Sequence, residues 1–362
     1  MKFYQNLKKK KKNNKNFLSY ISELKKKYKT SLKSLNSFGV ECFSSNFNII
    51  KNEKEIIDFI ASNNDQESII LGGGSNILFK NNIDKPILKI EIKGIEIVNE
   101  TAERVLISVG AGEVWDDLVN WSLSNNYGGL ENLSLIPGNV GSAPIQNIGA
   151  YGVELKNIFE SCRAISIDTG LLRIFNNNEC NFSYRSSIFK EEFKNKYIIT
   201  NVVFRLSKLN HLIDYSYEPL KHDLKKNNIL NPTINDISKS VIKIRSSKLP
   251  NPKEIGNCGS FFKNPIINDL NFKELTKKDK EMPFFKVSKN ENKIPAAWLI
   301  EKCGFKGLKE GNTGTHDKHA LIIINHGNAS GVEIFNFSQK IKNKVLKKFN
   351  ILLEEEVNII NN

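Results

Sequence analysis

The segment at residues 134–152 constrains this chain more than any other, because it carries four glycines and two prolines and no charged side chain. Surface loops of comparable length are usually rich in charge. Glycine has no Cβ, so its backbone can approach another surface closely. The segment therefore predicts backbone packed against a flat ligand or a diphosphate, or else a buried loop with a purely structural role.

A second glycine cluster lies at residues 71–79, which read Leu-Gly-Gly-Gly-Ser-Asn-Ile-Leu-Phe. Consecutive glycines let backbone N–H groups surround an anion, so this cluster predicts a diphosphate cradle, with a tight turn as the alternative. It is not a G-x-G-x-x-G dinucleotide fingerprint, because Ile77 stands where the third glycine would be. It is not a Walker loop either, because no Gly-Lys-Ser or Gly-Lys-Thr follows.

Two further stretches suggest a site for an anion. Arg185 is one of only six arginines and stands between aromatic and small residues, and a partly buried arginine needs an anion, either a ligand or a structural carboxylate. Residues 353–359 contain three consecutive glutamates. If they form a strand, Glu354 and Glu356 share one face, where a buried carboxylate could act as an acid or polarise an anion through Arg185. Alone, this run would be a solvated charge cluster.

Residues 256–265 place Ser260 after a glycine and before two phenylalanines, which predicts a hydroxyl at a dry, crowded position. Phe262 excludes the G-x-S-x-G elbow of hydrolases. Cys258 is interpreted as a small filler rather than a reactive thiol. His316, His319 and His326 cluster in the sequence, but no carboxylate or cysteine is well placed beside them, so no metal site is expected.

The periodicity of the chain predicts a mixed α+β protein of several domains. Strands are predicted at residues 67–71, 86–92, 104–109, 197–206 and 351–359. A helix is predicted at residues 114–124, where Trp115, Leu118 and Trp121 form one apolar stripe. Another helix follows the capping box of Ser330 and Glu333. The Lys- and Asn-rich residues 208–231 are interpreted as an inserted loop or a domain junction.

The net charge of +14 first suggests a nucleic-acid or membrane-surface protein. About ten of those units lie in residues 1–30, which are predicted to be a basic, disordered extension. This arm is either dispensable or a weak electrostatic anchor for RNA or anionic lipid. The rest of the chain is nearly balanced and poor in arginine, so no nucleic-acid partner is expected. No apolar run approaches the ~20 residues of a membrane span. The five scattered cysteines favour reduced thiols in a cytoplasm.

Taken in order, these segments resemble the UDP-N-acetylenolpyruvoylglucosamine reductase (UDP-N-acetylmuramate dehydrogenase, MurB) family from about residue 31 to residue 359. The resemblance implies a FAD-binding domain of the vanillyl-alcohol-oxidase (PCMH) type in two subdomains, plus a C-terminal α+β substrate-binding domain. The implied divisions are residues 31–209 for FAD, 210–249 for a connecting and substrate-loop segment, 250–350 for substrate, and 351–362 for a terminal strand returning to the FAD site.

The resemblance also implies a function. The enolpyruvyl ether of UDP-N-acetylglucosamine enolpyruvate is reduced to UDP-N-acetylmuramate for peptidoglycan synthesis, with FAD and NADPH, by a cytoplasmic monomer. NADPH would give a hydride to the flavin, and the hydride would then pass to the substrate. Ser260 matches the proton donor, and Arg185 and Glu356 match the residues that stabilise the aci-carboxylate intermediate. This set argues against a different flavin oxidase of the same fold.

The binding residues carried over by the resemblance fall into two groups. The implied FAD contacts are Gly72, Gly73, Gly74, Ser75, Asn76, Gly138, Asn139, Gly141, Ser142, Ile148, Gly149, Ala150 and Arg245. The implied substrate contacts are Tyr151, Tyr217, Lys248, Asn264 and His319.

The chain departs from the family pattern at several positions. Ser186 replaces the usual acidic residue after Tyr-Arg, and Cys258 stands where a smaller residue is common. Glu355 replaces an expected proline, so the choice of Glu356 over Glu354 depends on Val357. Tyr215 lies two residues from Tyr217 and is the alternative substrate-loop tyrosine.

Overall fold

The structure is a computed structural model that describes residues 30–63 and 67–362. The predicted basic extension at residues 1–30 therefore lies outside the described residues except for Thr30. No helix in the described ranges combines the length and the apolar character needed to cross a bilayer.

The first part of the chain builds a small parallel sheet. Its central strand pairs in parallel with a strand on either side, and one short helix packs beside it. The elements are β1 (Thr30–Ser31), β2 (Phe43–Ser44), β3 (Phe47–Ile50), α1 (Glu53–Ser62), β4 (Ile69–Leu71), β5 (Ile77–Phe79) and β6 (Ile87–Ile90). The strand order is β3-β6-β4, and the first glycine cluster connects β4 to β5.

The second part builds a five-stranded antiparallel sheet in the order β12-β11-β13-β8-β7. The elements are β7 (Ile95–Glu100), β8 (Arg104–Gly110), α2 (Trp115–Ser124), β9 (Gly149–Ala150), β10 (Val153–Glu154), β11 (Phe159–Ser166), β12 (Leu172–Asn176) and β13 (Tyr197–Ser207). Alternate residues of β8 and β13 are buried and pack with Trp115 and Leu118 of α2 in the largest core of this half. The amphipathic pattern of α2 thus correctly predicted a helix with one buried face.

Two helices follow, α3 (Glu218–Lys226) and α4 (Ile234–Lys248). The interpretation of residues 208–231 as a loop or junction was therefore wrong in part. Leu220 and Leu224 are one helical turn apart and fully buried against Val241 of α4, whereas the lysines lie on the solvent side. Two apolar residues among many lysines and asparagines gave too weak a periodic signal.

The last part holds two antiparallel sheets, β14-β20-β19-β18 and β15-β17-β16. The elements are β14 (Gly256–Ser260), β15 (Ile266–Asn268), α5 (Asp269–Lys278), β16 (Phe285–Ser288), β17 (Glu291–Lys293), α6 (Ala296–Lys302), β18 (Lys309–Glu310), β19 (Thr313–Thr315), β20 (Ile322–Asn325), α7 (Gly331–Phe349) and β21 (Asn358–Ile360). Ser330 caps α7 by accepting a hydrogen bond from Glu333 N, so the predicted N-terminal cap of this helix is confirmed.

The predicted strand at residues 351–359 is mostly wrong, because only β21 at its end forms a ladder. β21 pairs in parallel with β5, which returns the chain to the first glycine cluster. Residues 351–357 instead run across the C-terminal core. There they make a single bridge, between Glu355 and Phe262, and the buried Leu353 and Val357 anchor them.

Candidate active site

Arg185 projects from a tight turn. Ser183 and Ser186 each donate a backbone N–H to the other's carbonyl, at 3.0 Å and 3.2 Å, and Arg185 lies inside this turn with a φ of 53°. A left-handed backbone is unfavourable for a residue with a long side chain. The hydrogen-bonded turn holds it in place, and Phe182 and Ile188 on either side pack on the core of the five-stranded sheet. Local backbone strain at this position is typical of a functional residue.

The side chain of Arg185 meets Glu356 from the other end of the fold. Arg185 Nε lies 3.3 Å from Glu356 Oε1, and both side chains are mostly buried, with 24% and 17% exposed. Arg185 Nη2 also donates to Gly149 O at 2.9 Å. Burial raises the pKa of the Glu356 carboxyl above its ordinary value, and the positive charges of Arg185 and Lys190 oppose that shift.

Glu356 is positioned by its backbone. Its N–H donates to Phe261 O at 2.8 Å, and Asn76 Nδ2 donates to Glu356 O at 3.1 Å. Asn76 in turn accepts a hydrogen bond from Asn358 N at 3.1 Å. The terminal segment is thus fastened between the first glycine cluster and the end of β14, next to Ser260.

Ser260 ends β14 after a local irregularity. Gly259 has a φ of +68°, and the register between β14 and β20 shifts between Asn257 and Ser260. Within the described part of the chain, the Ser260 hydroxyl has no hydrogen-bond partner, and the residue is only half-buried. Cys258, two residues earlier, is buried with its pKa raised to about 12 by burial, so it is a neutral thiol that fills space.

The two glycine-rich segments lie against each other. A Cβ on Gly73 would come within 2.7 Å of Asn139 Oδ1 and 2.9 Å of Gly138 Cα. A Cβ on Gly74, which has a φ of +66°, would lie 1.9 Å from Leu35 O. Larger residues cannot occupy these positions without moving the backbone.

In the first glycine cluster, two carbonyls are hydrogen-bonded to the rest of the protein, whereas the N–H groups that follow are left for a ligand. Gly72 O accepts from Lys89 Nζ at 2.8 Å, and Gly74 O accepts from Ser37 N at 3.0 Å. Over residues 30–63 and 67–362, no acceptor is found for the N–H groups of Gly73, Gly74 and Ser75. A row of unpaired backbone donors is an anion-binding concavity.

Arg245, on α4, lies in the protein interior close to Tyr151 and Asp116. Its Nε is buried with no hydrogen-bond partner among the described residues. Burial lowers the pKa of its guanidinium, and the nearby Tyr151 and Asp116 oppose this. A buried, incompletely paired guanidinium indicates a polar or anionic ligand.

The predicted substrate residues lie in three places. The rings of Tyr151 and Tyr217 meet edge to face with centroids 5.4 Å apart, whereas Tyr215 has no aromatic partner among the described residues. His319 lies near Lys248 and Lys306, and burial, strengthened by these positive charges, lowers its pKa. His319 Nδ1 is buried and has no partner in the described ranges.

Asn264 lies on the Arg185 side instead. Its Oδ1 accepts from Ala296 N at 2.9 Å, at the start of α6, and its amide approaches the Tyr184 hydroxyl. The described residues contain no group of three or more His, Cys, Asp or Glu that could bind a metal ion.

Sequence reasoning missed three lysines around this region. Lys190 Nζ donates to Arg185 O at 3.1 Å, Lys263 lies close enough to Glu356 to lower its pKa, and Lys306 lies near His319. Lys190 stands directly after two apolar residues, Ile188 and Phe189, and that was the available signal. It was obscured because lysine is so common in this chain.

Comparisons with known proteins match both halves of the chain. Residues 47–174 match a model described as an FAD binding domain, and residues 251–360 match the C-terminal domain of UDP-N-acetylenolpyruvoylglucosamine reductase. The reductase of that name from Flavobacterium johnsoniae is 49% identical over 330 residues, which cover 91% of this chain and 98% of the relative. The one from Pseudomonas aeruginosa is 38% identical over 331 residues, covering 91% and 97%.

The crystal structure of MurB from Thermus caldophilus superposes with a TM-score of 0.63 at 20% identity, covering 92% of this chain and 98% of that one. The predicted α+β fold class is confirmed. The FAD-binding match together with the named relatives defines an FAD-containing oxidoreductase. The extent and identity of the sequence matches make the assignment more specific. The chain belongs to the UDP-N-acetylenolpyruvoylglucosamine reductase (MurB) family, as its motifs predicted.

Proposed function

We propose that this protein reduces the enolpyruvyl ether of UDP-N-acetylglucosamine enolpyruvate to UDP-N-acetylmuramate, for peptidoglycan precursor synthesis, with NADPH as the source of electrons. The observation that carries the proposal is the Arg185–Glu356 pair beside Ser260, at the edge of the first glycine cluster. A cationic side chain, a carboxyl and a free hydroxyl suit the addition of a hydride and a proton across an enol ether that bears a carboxylate.

The residues present fit FAD. The unpaired N–H groups of Gly73, Gly74 and Ser75 suit the diphosphate, and the neighbouring Gly138–Ser142 loop leaves no room for side chains between the two loops. Arg245 offers a buried donor without a partner among the described residues. When bound, the flavin would accept a hydride from NADPH and supply it to the terminal carbon of the enol double bond.

Arg185 would bind the substrate carboxylate. Its guanidinium is held on one side by Gly149 O and on the other by Glu356, so its orientation is set before the substrate arrives. As negative charge moves onto the carboxylate during reduction, a preorganised guanidinium stabilises it without reorganisation. Glu356 contributes as a mostly buried carboxyl, whose raised pKa favours the protonated form, and that form can donate a hydrogen bond to the charge.

Ser260 would donate the proton. The carbon next to the carboxylate gains a proton as the terminal carbon gains the hydride, which balances the reduction. A hydroxyl is a weak acid in water, but the hydroxyl of Ser260 has no competing partner within the described residues, is half-buried, and precedes Phe261, whose carbonyl accepts from Glu356 N. These conditions favour proton transfer to a carbanion-like centre.

The UDP moiety would extend toward Tyr151, Tyr217 and the Lys248–His319 cluster. Two aromatic rings in edge-to-face contact can bury an apolar ligand surface, and an ammonium near a neutral histidine suits a diphosphate. Lys306 adds a second cation to that cluster.

The decisive experiment follows the flavin spectrum. The purified protein should be yellow, lose its visible flavin absorbance on anaerobic addition of NADPH, and regain it when UDP-N-acetylglucosamine enolpyruvate is added. A flavin that responds to NADPH but not to that substrate would overturn the substrate assignment. A protein that binds no flavin would overturn the cofactor site.

A further inference from the structure

Lys89 is a lysine in the central strand of a parallel sheet. It stands on β6, between Leu88 and Ile90, which are almost completely buried. Strands with a neighbour on both sides in parallel sheets are normally apolar throughout. A charged residue here is a local exception that packing does not explain, and such exceptions tend to mark functional positions.

The ammonium of Lys89 has a carbonyl as its partner rather than a carboxylate. Nζ donates to Gly72 O at 2.8 Å, and no acidic side chain forms an ion pair with it anywhere in the described ranges. Burial lowers its pKa, Lys93 lowers it further, and Glu91 acts in the opposite direction. The sheet therefore holds a partly desolvated positive charge directly beneath the first glycine cluster.

The bond to Gly72 O sets the orientation of the next peptide group. In a trans peptide the carbonyl and the following N–H point in opposite directions, so fixing Gly72 O toward the sheet turns the Gly73 N–H away from it. The hydrogen bond from Ser37 N to Gly74 O acts in the same way two residues later, on the N–H of Ser75. Both carbonyls face the protein, and the N–H groups that follow them are left to a ligand.

We propose that Lys89 is a positioning residue for the flavin diphosphate: it holds the glycine cluster with its N–H groups presented and adds behind them a positive charge that forms no ion pair within the described residues. This inference rests on the proposed assignment of the first glycine cluster to the diphosphate. A purely structural role is disfavoured, because an apolar residue would suit the centre of this sheet better than an ammonium whose desolvation is offset only by a carbonyl.

The test compares Lys89→Met with Lys85→Met in the holoenzyme. Lys85 lies in the segment that leads into β6 and forms a surface ion pair with Glu67 at 2.7 Å, so it is a matched control. Each protein is diluted through a concentration series, free FAD is separated by ultrafiltration, and the Kd is measured at low and high salt. Lys89→Met should weaken FAD binding by about tenfold or more, as loss of a charged hydrogen bond does, with a smaller salt dependence. Lys85→Met should change neither.

A second readout separates positioning from structural support. Thermal unfolding is followed at increasing FAD concentration, since a ligand that binds the folded state raises Tm in proportion to its affinity. Lys89→Met should lower the Tm gained per added FAD without lowering Tm when little FAD is present. A variant with lower Tm at every FAD concentration and unchanged Kd would overturn the inference. If Lys89→Met does not fold, Lys89→Gln, which keeps a donor but no charge, takes its place: it should bind FAD more weakly than wild type, and an unchanged Kd would overturn the inference.

Gly73→Ala distinguishes failure of this inference from failure of the proposed site. The added Cβ would meet Asn139 Oδ1 at 2.7 Å, in the middle of the presented N–H groups. Weak FAD binding in Gly73→Ala with normal binding in Lys89→Met would reject only the role of Lys89. Normal binding in both would reject the assignment of this cluster to the diphosphate.

Discussion

Arg185 Nε and Glu356 Oε1 lie 3.3 Å apart, and neither side chain could be held there by its own segment alone. Arg185 depends on the turn at residues 183–186, and Glu356 depends on hydrogen bonds to Phe261 and Asn76. The pair therefore exists only when the glycine cluster, the end of β14 and the terminal segment are all in place. This makes it a sensitive point at which to test both the fold and the proposed chemistry.

Ser260→Ala should leave the reduction of bound flavin by NADPH intact and block reoxidation by the enolpyruvate substrate. The substitution removes only the proton donor, and general acid catalysis typically contributes about 10²–10⁴-fold in rate. Anaerobic stopped-flow absorbance measures both half-reactions separately. Ser288→Ala, on exposed β16, serves as the control and should match wild type. Equal loss of both half-reactions in Ser260→Ala would remove Ser260 from the acid role.

Arg185→Lys should slow the substrate half-reaction by about 10²-fold while the NADPH half-reaction changes little. Lysine keeps the charge but cannot meet Gly149 O and Glu356 with the separate donors that a guanidinium provides. Rates and substrate KM are measured for each half-reaction. Arg173→Lys, in an exposed pair with Glu179, is the matched control. If the flavin of Arg185→Lys is reoxidised by the substrate at the wild-type rate, the separate donors of a guanidinium are not needed at this position.

The stability of the protein should carry a pH signature from Glu356. Its pKa is raised in the folded state, so folding favours the protonated form, and this contribution is lost as pH rises from the ordinary value of 4.5 through the higher folded value. Glu356→Gln removes the titrating group, so its free energy of unfolding should fall less steeply with pH across that window. Urea unfolding at several pH values measures the slopes. Glu354→Gln, whose side chain is largely exposed, should keep the wild-type slope.

Arg245→Met should weaken FAD binding by about tenfold or more without lowering the stability of the flavin-free form. The buried Nε has no partner among the described residues, so its removal costs the protein no hydrogen bond of its own there. Equilibrium dialysis gives the Kd, and thermal unfolding gives the stability. Arg104→Met, at an exposed position, is the control. Unchanged FAD affinity in Arg245→Met would exclude this arginine from the cofactor site.

Tyr217→Ala should raise the KM for the UDP substrate by about tenfold, whereas Tyr215→Ala should change it less than about twofold. The reason is that Tyr217, and not Tyr215, packs against Tyr151. Aromatic pairs contribute about 0.5–1.5 kcal/mol beyond their buried area. The pair of variants contains its own control, because both tyrosines are about equally exposed in the free enzyme. Steady-state kinetics at saturating NADPH measures the effect. A larger effect at Tyr215 would reverse the assignment.

Local patterns predicted local structure well. The stripe of Trp115, Leu118 and Trp121 predicted α2, and the Ser330–Glu333 cap correctly marked the start of α7. These signals are short-range, because the residues that cause them lie within one or two helical turns. The two glycine clusters could also be recognised from the sequence, because an ordinary surface loop seldom combines so many glycines with no charged side chain.

Long-range pairing was harder to predict from the sequence. The strand predicted through residues 351–357 does not form a ladder. These residues instead make one bridge to Phe262 and bury apolar side chains in the C-terminal core, and no local pattern contains that information. Lys89 was missed for a related reason. Its sequence neighbours predict only a buried strand, and the role of its charge depends on Gly72, which lies in the connection between β4 and β5.

The distant origin of Glu356 has a consequence for how the enzyme is made. Both glycine clusters and Arg185 leave the ribosome long before Glu356 does, and β21 can pair with β5 only after everything between them has been synthesised. A nascent or prematurely terminated chain can thus carry the cradle and the cation while lacking the carboxyl that completes the pair. During synthesis, activity should therefore appear abruptly, when the last residues of the chain have been added, and should not increase gradually with chain length.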